Sequence, residues 1–349
     1  MESILTFVFV LGLIVLVHEL GHLVSAKAFG VYCKEFAIGM GPKLLKWQGK
    51  ETLYSIRALP FGGFVSMLGE EGVVAEGIEL NRSIVKIAPL KRIVVMLSGI
   101  FMNFVLALII MFSLNLQAGS IALTPEPILG AVMDNMPAQV AGMQEGDRIL
   151  KLTFSDNTTQ VPEDFYDVIE ALQFYHDEIT FTLDRNGQTI EIAVRPTYNQ
   201  DTQTYMIGVQ TPEYTIKEIG VIDSLKYAFI DLKDMVSSIF TTLTRLIRGV
   251  GLNAVSGPVG IFQVTAESAQ YGMRAIMYLV ALLSVNIAVF NLIPLPILDG
   301  GRSLLIFVEM LRGKPLNEKF EQGIMIASMV LMLLLFIIIS ILQSLAKTP

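Results

Sequence analysis

Val17-His18-Glu19-Leu20-Gly21-His22 closes an apolar run, Leu5 to Val17, that contains no charged residue. On a helix, residues four apart share a face, so His18 and His22 can offer two imidazoles to one metal ion, with Glu19 beside them. The chain has three histidines, His18, His22 and His176, and two of them fall in this motif. Hydrocarbon penalises such side chains heavily, so an ionisable cluster inside a spanning segment marks a functional site.

Working outward, 53% of the 349 residues are hydrophobic and the mean hydropathy is +0.59, above the usual share for a soluble protein. The pattern predicts a polytopic α-helical membrane protein. Runs of about 20 apolar residues, the length that crosses a bilayer core, occur at Ile4 to Ala28, Ile93 to Leu116, Ile276 to Ile297 and Ile324 to Leu342, giving four expected transmembrane helices. The first lacks a basic leader and a small-residue cleavage site, so it reads as a span and not as a signal peptide. Basic residues crowd the stretch from Lys27 to Arg92, whereas between Pro125 and Pro212 only Arg148, Lys151, Arg185 and Arg195 are basic. By the positive-inside rule the first stretch is cytoplasmic and the second extracytoplasmic. Arg302, Arg312, Lys314 and Lys319 then also fall inside, and the N-terminus lies outside. The net charge of -7 comes with no basic patch for nucleic acid. Cys33 is the single cysteine, which excludes an internal disulfide.

After the first span, the glycine-broken segment Phe36 to Pro42, the alternating Thr52 to Arg57 and Ala58 to Val65 predict a membrane-associated β-hairpin on the cytoplasmic side. It is either a plain connection or a hairpin dipping toward the metal. Glu70 to Ile84 reads as a loop. Ser98 to Asn103 reads as close helix packing, with Asn103 able to bond across to a neighbour. In the acidic stretch, Ile128 to Val132 predicts a strand, Pro162 to Phe174 a helix, and Ile179 to Leu183 with Thr189 to Arg195 a hairpin around Asp184-Arg185-Asn186-Gly187. The phrase from Leu129 to Leu150, with Pro137-Ala138, Ala141-Gly142 and Gly146-Asp147-Arg148-Ile149, resembles a bacterial PDZ domain, which implies a groove able to accept an extended peptide. His176 reads as a solvated side chain. Ile222 to Val250 predicts an amphipathic surface helix, either at the membrane interface or packed on the soluble module, and Val255 to Ile261 a hinge or membrane-proximal loop.

Two histidines leave a catalytic zinc one protein ligand short. Asp299 is the only acid near the end of the third span, on the half of the membrane that also holds the histidines. Pro294 and Pro296 break the helix there, and the freed backbone groups suit a site that must hold a substrate.

With His18-Glu19-Leu20-Gly21-His22 in the first span, Asn291-x-x-Pro294-x-Pro296-x-Leu298-Asp299-Gly300 in the third and a PDZ-like module between the second and third, the chain resembles the site-2 protease family of intramembrane zinc metalloproteases, in particular the regulator-of-sigma-E group. The resemblance implies Zn2+ on His18, His22 and Asp299, Glu19 as general base, and Asn291 holding the substrate backbone. It also implies that Gly39-Met40-Gly41 and the strand through Gly62 and Gly63 pair with an extended substrate. Expected substrates are single-pass membrane proteins, such as anti-sigma factors or remnant signal peptides, cut in a bacterial inner membrane. The expected division is 1–124 (two spans and hairpin), 125–215 (one inserted β-rich PDZ-like domain), 216–270 (amphipathic helix and loop) and 271–349 (two spans). The rival from another class is a non-catalytic scaffold that binds partners through the PDZ-like domain, which would leave Glu19 without a task.

Overall fold

A computed structural model describes residues 2–70, 77–200, 204–247, 258–314 and 316–346. The chain divides into two compact units, 1–117 with 221–244 and 252–349, and 118–220 with 245–251.

In the first unit, α1 (Glu2–Ala28) leads into β1 (Cys33–Gln48) and β2 (Leu53–Met67), and α2 (Pro89–Ala118) follows. The hairpin folds back on itself. The far half of β1 pairs with the start of β2 (Gln48↔Leu53, Lys46↔Ser55), while the near half lies between that segment (Phe36↔Tyr54, Ala37↔Ser55) and the end of β2 (Phe36↔Val65, Ile38↔Gly63). Glu35 fastens these layers, accepting from Lys43 Nζ (2.9 Å), Ser55 Oγ (2.7 Å) and Arg57 Nη2 (2.9 Å). Burial works to raise its pKa, yet these three partners hold the carboxyl down to about 2. Toward the bend the hairpin exposes Met40, Leu44, Leu45, Trp47 and Leu59, an apolar surface suited to a bilayer.

The second unit holds β3 (Ser120–Leu123), α3 (Pro137–Val140), β4 (Arg148–Thr153), β5 (Thr159–Gln160), α4 (Phe165–Phe174), β6 (Ile179–Arg185), β7 (Gln188–Val194), β8 (Thr197–Asn199), β9 (Thr204–Met206) and β10 (Thr215–Glu218). A sheet in the order β5-β4-β6-β7 packs Ile149, Leu152, Phe181 and Leu183 with Phe165, Val168 and Leu172 from α4. The expected hairpin is β6–β7, turning at Asn186 and Gly187 with φ of 52° and 83°, as a two-residue turn of this kind requires. The strand expected at Ile128 to Val132 is reduced to isolated bridges, Ile128↔Arg148 and Val132↔Val209. Paired β3 and β10 close the unit where the chain enters and leaves.

The chain then forms α5 (Val221–Ile247), α6 (Pro258–Gln270), α7 (Met273–Asn291), α8 (Asp299–Arg312) and α9 (Glu318–Ala346). Among the described residues three helices are long and apolar enough to cross a membrane: Ser3–Ala28, Pro89–Ala118 and Met273–Asn291. The fourth expected span falls on α9, whose side chains from 335 onward lie outside the described residues. Three expectations need correction. The third span stops at Asn291 instead of Ile297, because Pro294 has no N–H to donate and disfavours helical geometry at Ile293. The loop expected at Val255 to Ile261 is already helix from Pro258, a residue that favours a first helical turn; 255–257 lie outside the described residues. Finally, α5 packs one face on the spans: Ala228, Met235 and Ile239 are buried with Val10, Ile14, Ala107 and Val280.

The second unit carries a buried ion pair. Asp147, 1% exposed, accepts from Arg185 Nε (2.7 Å) and Nη2 (2.6 Å) and from Gln144 N (2.9 Å), while Arg185 also donates to Gly142 O. Burial pushes the Asp147 carboxyl up, but Arg185 outweighs it and the net shift is downward. The pair therefore stabilises the fold above the ordinary carboxylate range, and its contribution is lost as pH falls through the depressed value. Arg185→Ala is expected to speed amide exchange across β4 and β6 in the intact chain at neutral pH, with a smaller effect in acid. Arg148→Ala, which removes an exposed pair with Glu126, is expected to change stability by less than about 1 kcal/mol.

Candidate metal centre

One turn of α1 separates His18 from His22, so both rings leave the same face. That face meets α2 at its smallest side chain. A Cβ at Gly99 would overlap His22 Nε2 and come within 2.8 Å of His18 Cε1, and a Cβ at Gly21 would overlap the Ser98 carbonyl. The two helices touch backbone to backbone here, and Ser25 Oγ and Ser98 Oγ join them at 2.8 Å. His22 Nδ1 lies 2.8 Å from the Val95 carbonyl, so it donates there and turns Nε2 inward as an acceptor.

Asp299 arrives from the other end of the chain. After α7 the residues Leu292 to Leu298 form a tight turn, with Leu295 N donating to Ile293 O (2.7 Å) and Leu298 N to Leu295 O (2.8 Å). Gly300 and Gly301 let α8 return against that turn, since a Cβ at Gly300 would stand 2.8 Å from Asn291 O and one at Gly301 would collide with Leu295. Asp299, in the first turn of α8, then places Oδ2 3.0 Å from His18 Nε2 and 3.4 Å from His22 Nε2, and the two Nε2 atoms are 3.2 Å apart. Two pairs hold α8: Arg92 with Glu309 at 2.8 Å, and Arg302 with Glu70 at 3.5 Å. Glu70 also accepts from Met67 N (3.0 Å), so it is an anchor between β2 and α8 more than a loop residue.

His18, His22 and Asp299 form a group that could hold a metal ion. Four tetrahedral donors at the zinc distances of about 2.0–2.2 Å stand roughly 3.3–3.6 Å apart, and the observed separations lie close to that. Their side chains are only 8–17% exposed, and no hydrogen of the protein satisfies Asp299 Oδ2. An unmet anionic oxygen facing two imidazole nitrogens is the donor set a divalent cation completes. Cys33 adds nothing to it: the thiol is fully buried, and burial pushes its pKa up to about 11.

Glu19, next to His18, is half-buried. The end of β2 crosses it so closely that a Cβ at Gly63 would come within 2.9 Å of Glu19 Cγ. Gly62, at φ 69°, faces Met40. Of the expected substrate-facing residues, Gly63 thus lies at Glu19. Asn291, Pro294 and Pro296 lie in or beside the turn that delivers Asp299.

The profile of peptidase family M50 matches residues 6–335. The chain belongs to that family. It is 29% identical over 418 aligned positions to the regulator of sigma-W protease RasP of Bacillus subtilis, covering 97% of both chains. It is 30% identical to the zinc metalloprotease RasP of Shouchella clausii, covering 97% of this chain and 98% of the relative. A Clostridium perfringens protein named as a candidate zinc metalloprotease shares 34% over 330 residues, 94% of each chain. This M50 peptidase is a zinc metalloprotease of the site-2 type with membrane-spanning helices, and the scaffold alternative is set aside.

The close helix packing expected at Ser98 to Asn103 is found at Gly99, which lies against both histidines, whereas Val95, whose carbonyl accepts from His22, falls outside that stretch. The four-residue spacing of Val95 and Gly99 on α2 matches that of the histidines on α1, and this shared register was the available signal. Gly99→Ala is expected to abolish zinc retention, measured by metal analysis of the purified chain. Gly12→Ala, in α1 with the histidines but with nothing within 4 Å of its Cβ, is expected to retain it.

Proposed function

We propose that this chain is an intramembrane endopeptidase that cuts the spanning segments of single-pass membrane proteins, with His18, His22 and Asp299 as the protein ligands of zinc and Glu19 as general base. The observation that carries the reading is the meeting of three donors from α1 and α8 within 3.4 Å of one another, beside a glutamate and a strand end. Zinc, when bound, polarises the scissile carbonyl and lowers the pKa of bound water toward about 7. Glu19 takes the proton of the attacking water and passes it to the leaving nitrogen as the peptide C–N bond breaks.

A spanning helix hides its carbonyls in internal hydrogen bonds, so a substrate must be unwound before attack. The strand through Gly62 and Gly63 offers main-chain partners for an extended segment beside Glu19. Asn291, with the turn through Pro294 and Pro296, helps to hold the substrate backbone. The positive-inside rule puts the N-terminus and 125–215 outside and the active site toward the cytoplasm, with α9 as a fourth span. The 125–215 module acts as a PDZ-like domain whose groove accepts an extended peptide, between membrane regions at 1–124 and, after the helical segment 216–270, at 271–349. Substrates of the anti-sigma or remnant-signal-peptide class in a bacterial inner membrane fit this arrangement.

Glu19→Gln is expected to keep its zinc while cleavage of a model spanning substrate falls by about 10²–10⁴-fold. Asp299→Ala is expected to lose both zinc and cleavage. Wild-type cleavage by Glu19→Gln would defeat the assignment of the base.

A further inference from the structure

The two histidines are oriented by different means. His22 gives its Nδ1–H to a main-chain oxygen, Val95 O, and this fixes Nε2 as the free acceptor. His18 Nε2 is just as close to Asp299, so it needs the same tautomer, but the group set against its Nδ1 is the side-chain amide of Asn103 at 3.3 Å. Asn103 is completely buried, 0% exposed, and its Oδ1 has no hydrogen-bond partner. A buried amide oxygen without a partner is costly.

The amide can present either end to the ring. With its nitrogen toward His18, it requires a lone pair on Nδ1, which puts the ring proton on Nε2 and closes that atom to a metal. With its oxygen toward His18, it accepts Nδ1–H and leaves the Nε2 lone pair free. We propose that Asn103 is a positioning residue that accepts the Nδ1–H of His18 and so holds Nε2 toward the metal. This rests on the reading of His18 as a zinc ligand.

Placement supports the role. Val95, Gly99 and Asn103 follow one another at four-residue steps along α2, so a single stripe supplies the acceptor for His22, the gap for both rings and the acceptor for His18. Ser284 Oγ of α7 donates to the Asn103 main-chain oxygen at 2.9 Å. That bond pins this turn of α2 to the helix whose end delivers Asp299.

The test uses the full chain purified in detergent, with zinc affinity measured by chelator competition and the visible spectrum of the cobalt-substituted protein as a second readout. Asn103→Leu keeps the bulk and removes the acceptor. It is expected to weaken zinc binding by about 10–100-fold and to shift the cobalt spectrum. Asn103→Asp, which offers oxygen only, is expected to bind zinc close to the wild-type value with a wild-type-like spectrum. Asn103→Ala gives the same contrast with Asn103→Asp should the leucine variant not fold. Unchanged affinity in the variants lacking an acceptor, or an aspartate variant as weak as they are, would reduce Asn103 to a packing residue. His18→Ala separates the two levels: if it holds zinc as tightly as wild type, the ligand reading of His18 fails, and if it alone loses zinc, only the role of Asn103 fails.

Discussion

Close contact of α1 with α2 at Gly21 and Gly99 is the constraint on which the rest depends. Any side chain at Gly99 would occupy the space of the two imidazoles, and any at Gly21 would strike the Ser98 carbonyl. With both absent, the backbones approach until the Val95 carbonyl can take the His22 proton. In an apolar layer that bond cannot come from water, so the neighbouring helix has to supply it. Polar chemistry among the spans is thus a consequence of small residues in register, and the same register brings Asn103 to His18.

A second return of the chain completes the group. The helix through Met273–Asn291 has to stop before Pro294, and the turn that follows would carry Asp299 away from the histidines if α8 could not fold back on it. Gly300 and Gly301 permit that approach by leaving no Cβ against Asn291 O and Leu295. Arg92–Glu309 and Arg302–Glu70 then tie α8 to α2 and to the end of β2. Carboxylate, helix and hairpin are therefore fixed to one another around the same point, which limits how far any of them can shift without disturbing the donor spacing.

The hairpin shows the same economy. Its near half runs through the middle of a folded sheet fastened by Glu35, its outer half exposes apolar side chains, and its last segment passes Glu19 at Gly63. One element thereby joins a bilayer-compatible surface to the residue beside the metal group.

Much of this was legible in the residues themselves. Hydropathy marked four spans, three of which are helices long and apolar enough to cross a membrane among the described residues; helical spacing put His18 and His22 on one face, and the glycine turn at Asn186-Gly187 announced the β6–β7 hairpin, because each is a local property of chain geometry. Asp299 was reachable as the one acid near the end of the third span. Helix ends shifted where Pro294 and Pro258 act, and one face of α5 proved to be covered by the spans, because amphipathicity states that a face needs cover without naming what covers it. What only the tertiary structure decided is the register between α1 and α2, the partners of His18 and His22, and the return of α8. Those depend on which backbones can approach within contact distance, a property of two segments together that neither segment carries alone.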